Sequence, residues 1–588
     1  MAYTAEILKE ELQAAAGTRA ADLVITNVNL VNVYTDEIYP AAISIYNGRI
    51  ISIAETPPAH AKQVLDGQGS YALPGFIDTH VHIETTLLTP EALGEVIAPW
   101  GSTSLCVDAM EIANVAGIEG LLALVRDADQ LPFRLFMEVP SRVPTAPGLE
   151  TTGGVLDVEE VARLLAMEES VSLGELDPSK ILGMREPYLD KILAALNCRK
   201  ICNGHAIGLE PADLNIYAAG HLSDDHESVY YEELLNRLRL GIKPLIREGS
   251  SERNVELLVK GVLEHGLPME NIMFCTDDKH VNDIHREGHI SYNVQRAIDL
   301  GMNPVDAIKI ATINAARHFR LEDQIGALAP GRFADVLLVR DLREIKPWLV
   351  LKEGRVVADE GGPKPCTLKE YPPELLDTVH LSRNFSRQDF KLDAAGNRVK
   401  CRVISLIRDQ IINEAKEIWM EVSLGEIEAD VSRDILKLAV VERYGKNGRT
   451  ATALVEGFGL KKGAMASSVS HDHHNIVVVG SNDMDMAIAV REVERLHGGF
   501  VLVVEGRVVD ALALPLGGLM SLLPAGEVLL RMDELNAAVR EFGCALHAPF
   551  MTLSFISLPT VPKLGLTDYG LIDVAEHRIT NLILEIAE

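Results

Sequence analysis

Between residues 22 and 53, apolar and polar positions alternate through Leu23-Val-Ile-Thr-Asn-Val-Asn-Leu-Val-Asn-Val and Ala42-Ile-Ser-Ile-Tyr-Asn-Gly-Arg-Ile-Ile-Ser-Ile. That period-two pattern, with Asn47-Gly48 as a hairpin turn, predicts a small antiparallel sheet preceded by a surface helix over 5–17. From about 72 to 325 the pattern changes to short apolar runs separated by helical stretches, the signature of βα units. The first run joins Tyr71, Ala72 and Leu73 to Phe76 and Ile77 and reads as one buried strand.

Eight apolar runs end in polar residues: His80/His82, Asp108 to Glu111, Glu138 to Ser141, Glu175, His205, His226, Arg247 to Gly249, and Asp277/Asp278. Their spacing is close to the roughly 30 residues of a βαβ unit. The unit between 205 and 226 is shorter and must carry a clipped helix, placed at 211–219. Eight units predict an α/β chain built on a (β/α)8 TIM-like barrel, whose chemistry collects at the C-terminal strand ends. After it, strands over 326–358 are expected to pair with those of residues 1–71, giving a small β-sandwich domain built from both flanks. Residues 359–399, rich in Pro, Gly and charge, read as a linker, and 400–588 as an additional C-terminal α/β domain with a helix over 483–497.

Charge narrows the partners. The chain has 588 residues, with 85 acidic against 55 basic side chains and a net charge of −30, a field that repels nucleic acid and anionic membrane. Seven scattered cysteines, an N-terminus without basic or apolar leader regions, and no run of the roughly 18 apolar residues of a membrane span point to the cytoplasm.

The strand-end residues carry the chemistry. His80 and His82 stand at i and i+2, so on a strand they face one way. Glu175, His205, His226 and Asp277 follow at later strand ends. Four imidazoles and two carboxylates on one rim are the ligand count for two divalent metal ions sharing a carboxylate.

These motifs carry a resemblance. Gly75-Phe-Ile-Asp-Thr-His-Val-His82, Asn203-Gly-His205, Asp225-His226-Glu-Ser, Thr276-Asp277-Asp278 and the closing stretch from Asn314 to Asp335 resemble the amidohydrolase superfamily of metal-dependent hydrolases. His82-Ile-Glu84, Ile246-Arg-Glu-Gly-Ser250, Glu287-Gly-His-Ile290 and Ser470-His-Asp-His-His-Asn475 narrow it to the adenine deaminase family, over nearly the whole chain. The resemblance implies His80 and His82 on one metal, His205 and His226 on the other, Glu175 as the bridge, and Asp277 as both ligand and proton carrier. It implies Mn2+ or Fe2+; from the ligands alone Zn2+ is equally admissible. The implied reaction is hydrolytic deamination of adenine to hypoxanthine and ammonia by a metal-bridged hydroxide. Glu248 and Asp278 are further candidates for moving protons, and Glu84, Asp108, Glu111, Arg247 and Ser250 for reading the purine, with a structural ion pair as the competing role for Arg247.

One position departs from the family pattern. Where its members carry Asp-Pro-His-Glu, this chain has Asp108-Ala-Met110-Glu111. A thioether neither shuttles a proton nor suits a hard metal, which leaves another purine or a substituted adenine as an alternative substrate. Ring opening of a cyclic amide is a second alternative, and a non-catalytic scaffold a third. The run His471-Asp-His-His474 reads as a polar turn before a strand, as a loop folded over the barrel mouth, or as a separate zinc site. A homo-oligomer, dimer or tetramer, is expected from the large surface.

Overall fold

The computed structural model describes residues 3–56, 60–408, 410, 412–560 and 563–587. A helix, Ala5–Ala15, precedes four strands: β1 Ala21–Asn32, β2 Glu37–Tyr46, β3 Arg49–Ala54 and β4 Ala61–Pro74. Eight further strands follow: β5 Phe76–Val81, β6 Ser102–Asp108, β7 Arg134–Val139, β8 Ser170–Leu176, β9 Ile201–Gly204, β10 Asp224–Asp225, β11 Lys243–Arg247 and β12 Met273–Cys275. Each carries, or directly precedes, one of the polar run-ends seen in the sequence. The short unit holds a helix at Pro211–Ala219, as its length required.

β5 to β9 form a five-stranded parallel sheet in chain order, and β10 to β12 a three-stranded one. Single parallel bridges, Cys202 to Leu222 and Val81 to Asp277, connect the edges of the two sheets. The sheet is therefore curled. The residues of β5, Phe-Ile-Asp-Thr-His-Val, are all buried. A strand covered on both faces has no solvent side on which to alternate.

The expectation of one strand through Tyr71 and Ile77 is corrected here, because the chain changes sheets at Gly75. β4 ends at Pro74 in the flanking sheet, and β5 begins at Phe76 in the parallel one. Gly75 permits that step: a Cβ there would lie 2.0 Å from Thr103 Oγ1. The flanking sheet has eight strands and joins both flanks, since β4 pairs antiparallel with Val336–Asp341 through Val336–Pro74 and Leu338–Ala72.

The C-terminal region builds an eleven-stranded sheet, with the helix Asp483–Arg495 packed on it through Met486, Val490 and Val493. One hydrophobic cluster runs without a break from Val81, Leu105 and Met137 to Leu438, Val477 and Phe500, so the two α/β regions share a core. Burial on that scale fixes their mutual placement. Among the described residues no helix is long and apolar enough to cross a membrane.

Candidate active site

His82, Glu175, His205, His226 and Asp277 line one cavity at the C-terminal strand ends. His80 joins them, its ring stacked on that of His226 with centroids 4.4 Å apart. All six side chains are buried.

Hydrogen bonds behind the rings decide which nitrogens face inward. His80 Nδ1 donates to Glu138 Oε2 at 2.6 Å, and His82 Nδ1 to the Asp108 carbonyl at 2.8 Å. Each ring is thereby left with Nε2 free, and both Nε2 atoms lie 3.5 Å from Asp277 Oδ1. On the other side, Glu175 Oε2 is 2.7 Å from His205 Nδ1 and 3.3 Å from His226 Nε2, while Glu175 Oε1 is 3.8 Å from His82 Nε2. One carboxylate thus spans two imidazole pairs. The strand that presents His226 is held by its own buried acids: Asp225 by Arg237 and the Ala206 N–H, Asp224 by Asn203 and His318.

Six carboxylates line the cavity (Glu111, Glu175, Glu227, Asp277, Asp278, Asp472) against two guanidiniums, Arg142 and Arg247. The imbalance shows in the imidazoles. Burial works against charging His80, His82, His205 and His226, yet neighbouring carboxylates, Glu138, Glu111 and Glu175 foremost, hold all four above the ordinary value. The site favours added positive charge. Groups with ligand atoms within 4.8 Å of one another are His80, His82 and Asp277; His80, Glu175 and His226; and His205, His226 and Glu227. A set of nitrogen and oxygen donors around a surplus of negative charge is what a divalent cation requires.

Asp277 and Asp278 are driven apart. Burial pushes Asp277 up, but His226 and Arg247 outweigh it and leave it below the ordinary carboxylate value. Asp278, raised by burial and then by Asp277 itself, reaches about 6. Adjacent residues thus supply an ionised carboxylate and one that holds a proton close to neutrality.

Several expected contacts are not made. Glu248 is turned away from the cavity: its Oε2 accepts the Val255 N–H at 3.0 Å, at the start of the helix Val255–His265. Ser250 Oγ donates to Asp283 Oδ2 at 2.5 Å and accepts the His280 N–H at 2.9 Å, so it braces a loop. Glu84 stands behind Glu111, accepting the Ile112 N–H at 3.0 Å. Asp108 serves through its main-chain carbonyl, and its carboxylate packs against Gly174, where a Cβ would lie 2.3 Å from Oδ2. Arg247 does line the cavity, but Nη1 is spent on Glu227 and Asp277, each at 2.8 Å, and Nη2 on Glu227 at 3.2 Å. Met110 opens the helix Met110–Val125 and packs in the core, while Glu111 faces the cavity.

The cavity also holds residues missed in the sequence. Glu227 stands beside His226, 3.4 Å from His205 Nδ1, and its only signal was that adjacency. Arg142, one residue past the third run-end, donates to Glu175 and Asp472. Phe555 and Leu558 come from the C-terminal region, as do His471 and Asp472, whose run the sequence offered as a loop folded over the barrel mouth. The His471 run is therefore a loop at the cavity, not an exposed turn. Burial opposes the charge on His471, but Asp278 and Glu111 raise it to about 9. His471, His474 and Glu111 also approach within 4.8 Å. His474 Nδ1 accepts the Ser470 N–H at 3.3 Å, and its Nε2 is buried without a hydrogen-bond partner among the described residues.

Residues 71–359 match the model of the Amidohydrolase family, and residues 410–578 that of the Adenine deaminase C-terminal domain. An adenine deaminase of Desulforamulus reducens is 58% identical over 98% of both chains. The chain belongs to the adenine deaminase family. Its likeness to other members is as extended: 40% to an adenine deaminase of Methanothrix thermoacetophila over 98% of this chain and 100% of that one, and 38% to one of Moorella thermoacetica over 98% of each. The family's C-terminal domain is the part that carries His471, Asp472, Phe555 and Leu558.

Proposed function

We propose that this chain hydrolyses adenine to hypoxanthine and ammonia. The observation that carries the reading is the convergence of four imidazoles, Glu175 and Asp277 on one cavity, in a chain of the adenine deaminase family. In this reading β5 to β12 close into a (β/α)8 barrel through the Cys202–Leu222 and Val81–Asp277 bridges, and the rim is its catalytic face.

His80, His82 and Asp277 would hold one divalent ion, His205 and His226 a second, and Glu175, with an oxygen toward each pair, would join them. Manganese and iron follow from the family, and zinc suits the same donors. Two such ions supply Lewis acidity and lower the pKa of water from 15.7 toward about 7.

The remaining work falls to the chain's own carboxyls. Deamination takes a proton from water and must deliver protons to a ring nitrogen and to the departing amine, since ammonia leaves far more readily than amide ion. Asp277 Oδ1 faces the site while Arg247 pins Oδ2 at 2.8 Å, so one oxygen is fixed where it can accept that proton. Asp278, held near neutrality, can return one. Burial of the whole cluster keeps bulk water from competing for either.

The test is ammonia release from adenine by manganese-loaded and iron-loaded protein, with a panel of substituted purines and cyclic amides alongside. Activity on adenine that is lost in Glu175→Gln supports the reading; ring-opened product without ammonia, or activity confined to another purine, overturns it. A homo-oligomer in the cytoplasm completes the proposal, with all seven cysteines free as that compartment favours.

A further inference from the structure

The cavity has two unlike walls. Every residue that the barrel strands bring to it is charged or an imidazole, and the two apolar side chains lining it, Phe555 and Leu558, come from the C-terminal domain. A purine is a flat apolar ring whose edge nitrogens accept hydrogen bonds, so it needs an apolar wall and a donor. The terminal guanidinium nitrogens on the barrel side are committed. Arg142 is engaged by Glu175 and Asp472, and Arg247 by Glu227 and Asp277. The metal-facing imidazoles point at Glu175 and Asp277. Ionised carboxylates offer acceptors only, and Asp278, the one that holds a proton, is assigned to the proton transfers above.

His471 is the imidazole left over: its Nδ1 faces Glu111, and its Nε2 makes no hydrogen bond among the described residues. It is 3% exposed, with Nδ1 3.3 Å from Glu111 Oε1, and its ring stacks on Phe555 with centroids 4.6 Å apart and planes 15° from parallel. It is also held rigidly. The His471 N–H donates to the Ser554 carbonyl at 3.1 Å, Ser470 Oγ meets Ser557 Oγ at 2.8 Å, and Ser554 Oγ donates to the Val469 carbonyl at 2.6 Å. The loop bearing His471 and the helix Pro549–Phe555 are thus laced into one unit, which Arg142 ties to the barrel through Asp472.

We propose that the C-terminal domain supplies the purine-recognising wall of the site, His471 donating to a ring nitrogen of the substrate while Phe555 and Leu558 cover the ring face. This rests on the adenine reading above, and the experiment separates the two. Wild type, His471→Ala, His471→Gln and Phe555→Leu, each full-length and manganese-loaded, are assayed with adenine and with its 1-deaza, 3-deaza and 7-deaza analogues, and metal content is measured for each.

The expected result is a loss of about 10- to 100-fold in kcat/KM for adenine in His471→Ala. For one deaza analogue, already slowed in wild type, the same substitution changes little, because the nitrogen it served is gone. Phe555→Leu raises KM several-fold with kcat nearly unchanged, as loss of uniform binding does. Metal content stays at the wild-type level, and Gln at 471 recovers part of the loss. Should His471→Ala and His471→Gln lose the same factor on adenine and on all three analogues, or lose metal with activity, the donor role is wrong although the deaminase reading stands. If wild type releases no ammonia from adenine, that reading falls first. A variant that does not fold is replaced by His471→Gln, whose partial rescue or uniform loss decides the same question.

Discussion

Arg142 Nη1 lies 3.3 Å from Asp472 Oδ2, a contact between residues 330 apart in the chain. Its other terminal nitrogen donates to Glu175. One buried guanidinium therefore balances the carboxylate shared by the imidazole pairs and a carboxylate from another domain. Arg142→Gln leaves both acids without a counter-charge, a loss of about 3–5 kcal/mol for a buried pair. The urea midpoint is expected to fall and kcat/KM to drop by about 100-fold or more. Asp472→Asn, which keeps size and acceptor, should cost about 1–2 kcal/mol. Equal stability of the two variants would show that the contact does not join the domains.

Glu138 does not itself line the cavity, yet it sets the tautomer of His80 through the 2.6 Å bond to Nδ1. Glu138→Gln preserves shape and can still accept, but it no longer supplies charge behind the ring. Metal affinity is expected to fall by about 10- to 100-fold, read as metal retained after dialysis against a graded chelator. The fold should be unaffected, with a far-ultraviolet dichroism spectrum like that of wild type.

Glu248 provides a test of a residue that sequence pattern placed in catalysis and structure placed elsewhere. Burial raises its carboxyl to about 6 from 4.5. An acid raised on folding favours the native state below its unfolded value, and that contribution is lost as pH climbs through the folded one. Wild type should therefore lose about 2 kcal/mol from this group as pH rises from well below 4.5 to well above 6. In Glu248→Gln that component of the pH profile disappears, and activity on adenine stays within about threefold of wild type. A collapse of kcat would return Glu248 to the reaction.

Much of this architecture was legible because strand ends announce themselves. An apolar run interrupted by His, Glu or Asp has no structural reason to stop there, and eight such stops at regular spacing placed β5 to β12 and the six converging side chains. The clipped helix over 211–219 followed from spacing alone. The break at Gly75 did not, because Pro74-Gly75 sits inside one apolar run and only the close approach of Thr103 reveals the change of sheet.

Direction of a side chain was the other limit. Glu248 and Ser250 follow Arg247 immediately, yet the chain turns there, and the Val255 N–H and Asp283 draw them away from the cavity. Arg142, Phe555 and Leu558 carry no periodic signal at all. Their place is set by the core that the curled parallel sheet and the C-terminal domain bury together, and no local pattern encodes a contact across hundreds of residues. The polar run at 471–474 was the visible trace of that contact.

The charge balance of the cavity makes a last prediction about stability. Six buried carboxylates face two guanidiniums there, and such a cluster is self-repelling unless cations share it. A cation that binds the native chain alone stabilises it by RT ln(1 + [L]/Kd), about 2.7 kcal/mol at one hundred times Kd. Manganese should raise the urea midpoint of chelator-treated protein and restore activity in parallel. Glu175→Gln removes the carboxylate that both imidazole pairs share, so its manganese-dependent shift should shrink by half or more. Ser250→Ala, outside the cavity, should keep the full shift even if its starting stability is lower. A manganese response of the same size in Glu175→Gln and in wild type would place the cation elsewhere.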